Sequence, residues 1–231
     1  MNRMEKKIAF LIMASQVLLS CGAHDYEDPS LQPLKVEWAS CNVGASAPEE
    51  AGTYFAWGET EGKTHYDWDN YRYSTPEPAM TKYNFPEGAS GSAVLEPGDD
   101  AATVNLGNGW RTPTRADWDE LRLKGVWRKM VRNGVAGYQV SSRATGDEIV
   151  FLPAAGYYRS NNLNDAEAEI SVDASGTATW HKAQCHYWTS ELRNDYCPNA
   201  YYYGLDDSGY GNIFQAYRSY GMNVRAVRDV K

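Results

Sequence analysis

The feature that most narrows the folds open to this chain is the make-up of its apolar residues: 17 tyrosines and 8 tryptophans stand against 5 phenylalanines. Apolar area therefore comes mostly from rings that also carry a polar edge, which favours broad, half-buried sheets and contact surfaces. The order of local signals is equally telling. Thr114 is placed to cap a helix, and Asp117, three residues on, returns the bond in a capping box, with Pro113 and Trp118 at the positions of a hydrophobic staple. Together these contribute on the order of 1 kcal/mol and set where the helix begins. Trp118 and Leu121 are expected to face the core, and Gly125 to stop the helix. A shorter, acid-capped helix is expected over residues 99–104.

Strands dominate the rest of the chain. Residues 126–131, 137–142 and 148–152 read as strands, and short strands separated by Gly and Asn turns continue to the end; an earlier strand is expected over 34–43. Helices early and strands late argue an α+β class and not an alternating α/β one. Between them, residues 60–100 show no period and are rich in Tyr, Pro, Gly and acids. A long irregular segment of this kind is held by its own aromatic packing or is functional, and His65, Tyr66, Trp68, Tyr71 and Tyr73 supply the rings.

The amino terminus sets the compartment. Arg3, Lys6 and Lys7 precede an apolar run over residues 8–19 that closes in Leu18-Leu19-Ser20-Cys21. This is a signal peptide with a lipobox. A spanning helix needs ~20 apolar residues, more than this run supplies. The lipobox implies cleavage before Cys21 and lipidation of its thiol, and at about 0.8 kcal/mol per buried methylene a set of acyl chains anchors the protein to the membrane. Residues 1–20 are thus expected as signal peptide, 21–33 as an acidic tether and 34–231 as one domain. The expected location is the envelope of a Gram-negative bacterium, as an outer-membrane lipoprotein. The acidic cluster His24-Asp25-Tyr26-Glu27-Asp28 just behind the anchor resembles surface-export signals of some bacterial lipoproteins.

Removing residues 1–20 takes away three basic residues and one acidic one, leaving 19 against 29 and a net charge of −10. Nucleic acid is excluded as a partner, because phosphate neutralisation needs clustered Lys and Arg and here they are scattered among a larger number of acids. Besides Cys21, Cys41 lies in a strand-like run and is expected as a buried thiol. Cys185 and Cys197 are either a disulfide, whose loop closure would contribute about 3 kcal/mol, or two thiols too far apart to join.

Six blocks in order resemble the Fibrobacter succinogenes major paralogous domain family: Trp38-Ala39-Ser40-Cys41-Asn42-Val43-Gly44-Ala45, Tyr54-Phe55-Ala56-Trp57-Gly58-Glu59-Thr60, Trp110-Arg111-Thr112-Pro113-Thr114 with Asp117-Trp118, Phe151-Leu152-Pro153-Ala154-Ala155-Gly156-Tyr157, Tyr187-Trp188-Thr189-Ser190, and Val224-Arg225-Ala226-Val227. They cover nearly the whole chain behind the tether; Thr112 departs from the Leu or Met usual before Pro113. The resemblance implies a C-type lectin-like fold, with mixed or antiparallel sheets, one or two short helices and long irregular loops. It also implies that residues 34–43 lie near 224–230.

Catalytic relatives of that fold use residues this chain lacks. The formylglycine-generating enzymes need a closely spaced cysteine pair, and Cys185 and Cys197 are further apart; the iron-dependent sulfoxide synthases use His-x-x-x-His-x-Glu, into which none of the 4 histidines falls. His181, Cys185 and His186 suggest zinc by residue type, yet alternation along a strand sends neighbouring Cys185 and His186 to opposite faces. The Glu-Pro-Asn and Trp-Asn-Asp calcium motifs of sugar-binding animal lectins are absent, and Cys197-Pro198-Asn199 lacks the carboxylate. Asp206 and Asp207 with Glu191 read as acids on solvated turns and not as a catalytic pair. The expectation is a protein with no enzymatic activity, no cofactor and no metal.

Residues 187–227 hold eight of the 17 tyrosines among Asn, Asp, Ser, Arg and Gly. That composition resembles a paratope, in which Tyr brings contact area at low entropic cost and small polar residues adapt their hydrogen bonds. The alternative is that the tyrosines cover a twisted sheet. In several members of the resembled group this segment is the variable region of a diversity-generating retroelement. Carried over, the constant frame would be Trp188, Ser190, Ala200, Leu205, Gly209, Gly221, Val224, Arg225 and Val227. The ligand-binding residues between them would be Arg193, Asn194, Tyr196, Tyr201, Tyr203, Asp206, Tyr210, Asn212, Tyr217 and Tyr220. The expected partners are a protein or glycan ligand and, through the lipid, the membrane; burial of the same face in an appendage or envelope complex is the competing reading.

Overall fold

Asn133 and Gly134, both at positive φ, reverse the chain between strands β2 (Gly125–Arg132) and β3 (Val135–Ser142). A two-residue turn of that hand matches the twist of paired strands, so β2 and β3 stay in register along their whole length. β4 (Glu148–Pro153) pairs with the other edge of β3, antiparallel again. The computed structural model describes residues 27–75, 79–84, 94–193 and 198–230. Within them a second sheet is built from β9 (Cys185–Leu192), β10 (Asn199–Leu205) and β11 (Gly211–Tyr217), with β10 in the middle. Two hairpins, β5 (Tyr157–Arg159) with β6 (Asn162–Asn164) and β7 (Glu169–Val172) with β8 (Ala178–His181), lie between the two sheets in sequence. β1 (Val36–Trp38) pairs antiparallel with β12 (Val227–Asp229), so the two ends of the domain meet. The strand expected over 34–43 is regular only in its centre, although Ala39 and Val43 still bond to the carbonyls of Ala226 and Val224 at 2.9 Å. Antiparallel sheets and two α-helices among the described residues make the class α+β.

Helix α1 (Ala101–Leu106) is capped by the Asp100 carboxylate, and helix α2 (Arg115–Lys124) starts at the expected capping box. Thr114 Oγ1 accepts from the Asp117 amide at 3.2 Å, while the Asp117 carboxylate accepts from the Thr114 amide at 2.7 Å. Arg111 adds a charge-assisted bond to that carboxylate at 2.7 Å. Burial raises the Asp117 carboxyl, but the bonds from Arg111 and Thr114 outweigh it and hold the group below the usual carboxylate range. The helix does end at Gly125, for a reason other than the left-handed cap expected there. Gly125 is extended, at φ −91°, and the chain runs straight on into β2. What demands glycine is space: a Cβ there would sit 2.5 Å from Val140 Cγ1 and 2.6 Å from the Leu121 carbonyl.

The main core packs Trp118 and Leu121 of α2 against Tyr138, Val140 and Leu152 of the first sheet, Cys185, Tyr187, Tyr203 and Leu205 of the second, and Trp38 and Val227 of the paired ends. A second cluster joins Val43, Phe55 and Trp57 to Trp188, Leu192 and Val224. The irregular segment is held as its rings suggested, since Tyr66, Tyr71 and Tyr73 form a third buried cluster with Ala56. In the second and third clusters several polar edges are used: Tyr71 donates to the Trp57 carbonyl at 2.7 Å, Trp57 Nε1 to Thr189 at 2.9 Å and Trp188 Nε1 to Phe55 at 2.7 Å. Arg225, fully buried, donates to the carbonyls of Ala39, Ser40, Pro48 and Phe151 and to Asn42 Oδ1, tying the first loop and β4 to the C-terminal end. Cys41 is half-buried and not the enclosed thiol expected.

Candidate functional site

Along a strand, successive side chains point to opposite faces. In β9 this sends Cys185 and Tyr187 into the main core and His186 to the other side; in β10 it sends Tyr203 and Leu205 inward and Tyr202 outward. The register sets Gly204 opposite His186 and Tyr202 opposite both Trp188 and Phe214. With no side chain at Gly204, where a Cβ would meet the Phe214 ring at 2.8 Å and the Tyr202 ring at 3.0 Å, the neighbouring rings close together. The imidazole of His186 stacks on Tyr202 with centroids 5.3 Å apart. Tyr157 from β5 leans on His186 at 4.8 Å, Tyr220 stacks on Tyr157 at 5.6 Å, and Tyr217 meets Tyr220 edge-on at 5.7 Å.

These rings line a cleft of about 430 Å³ together with Asp165, Gln184, Asn199, Gln215, Ala216 and Met222. That volume lies in the range of small-molecule sites. His186 is only 6% exposed, and neither ring nitrogen has a hydrogen-bond partner in the protein; the Asp165 carboxylate stands 3.5 Å from Nε2. Asn199 Oδ1 is likewise buried without a partner. A buried polar group left unpaired costs about 1–3 kcal/mol, so such atoms gathered at one cleft mark a place where an incoming molecule completes the bonding. Burial pushes the Tyr202 phenol up to about 12 and raises those of Tyr157 and Tyr220, which keeps all three neutral at ordinary pH.

The residues singled out from the sequence divide sharply. Tyr217 and Tyr220 line the cleft, and Arg193 hydrogen-bonds to Gln215 at its edge. Tyr201 has the opposite parity to Tyr202 and lies under the Arg115 guanidinium, 4.3 Å from its ring centroid. Tyr203 is a correction: its ring is 2% exposed and stacked on Trp118 with centroids 4.5 Å apart and planes 3° from parallel, so it belongs to the core. Asp206 organises the β10–β11 turn by accepting from the amides of Ser208 and Tyr210 at 2.9 and 3.0 Å. Tyr210 and Asn212 stand at the tip of that hairpin, bonded to each other at 3.0 Å. Asn194, Tyr196 and the lipidation residue Cys21 lie outside the described residues.

Of the two readings of Cys185 and Cys197, a bridge or separate thiols, the structure favours the second for Cys185. Cys185 is a free thiol, enclosed in the main core and directed at the Leu152 carbonyl at 3.7 Å; Cys197 lies outside the described residues. Burial pushes the Cys185 thiol far up, so it is protonated and unreactive, and it points away from the cleft. His181, the third residue suggestive of zinc, faces Asp207 at 3.4 Å. Among the described residues no three or more His, Cys, Asp or Glu side chains are grouped to hold a metal ion, and no helix is long and apolar enough to cross a membrane.

Sequence reasoning missed Tyr157, Asp165, Gln184, His186, Asn199, Tyr202 and Gln215. The signal for His186 was present: the alternation that separates it from Cys185 also turns it out of the core. Residues 201–203, three tyrosines in a row, hide the same alternation, because identical residue types occupy both faces. No family model matches the chain, and no curated protein or solved structure matches it either.

Proposed function

We propose that this chain is a non-catalytic recognition lipoprotein of the bacterial cell surface, anchored through Cys21, which binds its ligand in the cleft over the outward face of β9 and β10. The observation that carries the reading is the cleft itself: four tyrosines and a buried histidine with two unpaired nitrogens converge on one concave surface. Rings of this kind dominate binding hot spots, and polar atoms waiting for partners supply specificity. The resemblance to the Fibrobacter paralogous domain family and its C-type lectin-like fold agrees with this reading, since the chain's two ends pair as that fold requires. Most frame positions suggested by the resemblance also suit a fixed scaffold: Trp188, Ser190, Ala200, Leu205, Gly221, Val224, Arg225 and Val227 are buried, and Gly209, in the β10–β11 turn, is exposed. Membrane attachment rests on the lipobox alone, and Cys21→Ser is expected to abolish acyl labelling and release the protein from the membrane fraction.

The test is capture by the full chain, in detergent, on arrays of peptides and glycans. Wild type is expected to retain a defined class of ligand, and Tyr202→Ala with Tyr220→Ala to lose it while still unfolding in one cooperative transition. Equal capture by the double variant would overturn the assignment of the cleft.

A further inference from the structure

The bonding left open in the cleft selects the chemistry of the ligand. A neutral histidine carries one donor and one acceptor nitrogen, and an amide oxygen and a carboxylate are acceptors only. At the floor, the two nitrogens of His186 ask for partners, an acceptor for each N–H and a donor for a bare nitrogen, while Asn199 Oδ1 and the Asp165 carboxylate ask for donors. An anion brings acceptors alone and meets the Asp165 charge; among the described lining residues there is no Lys or Arg to hold it, and Arg193 at the edge is bonded to Gln215. An ammonium or guanidinium cation brings donors alone and gives no acceptor to the His186 N–H, and the charged group of a quaternary ammonium brings neither donor nor acceptor. A hydroxyl is donor and acceptor at once, so a ligand bearing several satisfies all of these atoms together.

The walls ask for something else. Tyr157, Tyr202 and Tyr220 bury most of their area and present ring surface to the cleft, which suits a flat, apolar C–H face. The molecule that has an apolar face with hydroxyls round its edge is a pyranose. Resting on the reading of the cleft as a recognition site, we propose that it takes a neutral saccharide, about one or two rings long for a volume of about 430 Å³. Calcium has no part in this mode. It needs about 6–8 oxygen ligands, and among the described residues Asp165 is the one carboxylate lining the cleft.

Calorimetric titration of the full chain in detergent, with EDTA present, tests the proposal. The probes are a panel of neutral methyl pyranosides and disaccharides, with choline, an arginine-rich peptide and an acidic peptide beside them. A neutral sugar is expected to bind in EDTA. His186→Phe, which keeps the ring stack and removes both nitrogens, should weaken it tenfold or more, and Gln215→Ala at the solvent rim serves if the first variant misfolds. Asp165→Asn should weaken sugar binding by less than His186→Phe does, because the amide oxygen still accepts although the charge-assisted part of the bond is lost. Binding of choline or the basic peptide alone, abolished by Asp165→Asn, would overturn the saccharide assignment and leave the recognition reading standing. Failure of every probe and every array, with the cleft variants indistinguishable from wild type, would overturn both.

Discussion

One sheet, β9–β10–β11, has two faces with opposite fates. On one, Tyr187 and Tyr203 close against Trp118 at 5.6 and 4.5 Å and disappear into the core. On the other, one residue along each strand, His186 and Tyr202 stack on each other at the floor of a solvent-facing cleft. The residue types are nearly the same, so composition does not distinguish a structural ring from a binding one. What does is the partner each face meets: helix α2 and the first sheet fill one side, while on the other the second core cluster covers Trp188 and Leu192 and leaves His186 and Tyr202 at the cleft.

The comparison is broken most severely at Tyr203. Tyr203→Ala removes a ring stacked flat on Trp118, and a loss of about 3–5 kcal/mol is expected on chemical denaturation, as for other large core truncations. A change under 1 kcal/mol would mean that the packed face is not the core.

Cys185 sharpens the contrast next. Cys185→Ser puts a hydroxyl in an apolar enclosure and is expected to cost about 1–3 kcal/mol. In the folded protein an alkylating reagent at mildly alkaline pH should modify Cys41 and spare Cys185, with Cys185 labelled only on unfolding. Rapid native labelling of Cys185 would place it on an open surface.

The smallest effect lies at the start of α2, which holds Trp118 in place. The Asp117 carboxyl is lower in the folded chain than in the unfolded one, so its stabilising contribution is full above the ordinary carboxylate range and disappears as pH falls through the folded value. Asp117→Asn should therefore cost on the order of 1 kcal/mol at neutral pH. The gap from wild type should close below the carboxylate range; a gap that is constant with pH would mean the charge is irrelevant.

The packed face was largely legible in the sequence and the open face was not. Thr114, Asp117, Trp118 and Leu121 sit at helix spacings that carry their own geometric meaning, and each stands where that meaning put it. Tyr203 was misread because its neighbours are the same residue, leaving no polar and apolar alternation to betray parity. The cleft also draws on Tyr157 and Asp165, well before β9 in sequence, and local pattern is silent about which distant hairpin folds over a sheet.

The adjacent pair Tyr202 and Tyr203 tests the central claim most directly, by measuring melting temperature and ligand affinity of Tyr202→Ala on the array ligand that wild type retains. The account predicts affinity reduced tenfold or more with a fall in melting temperature well short of that caused by Tyr203→Ala. Wild-type affinity, or a collapse of stability like that expected for Tyr203→Ala, would contradict it.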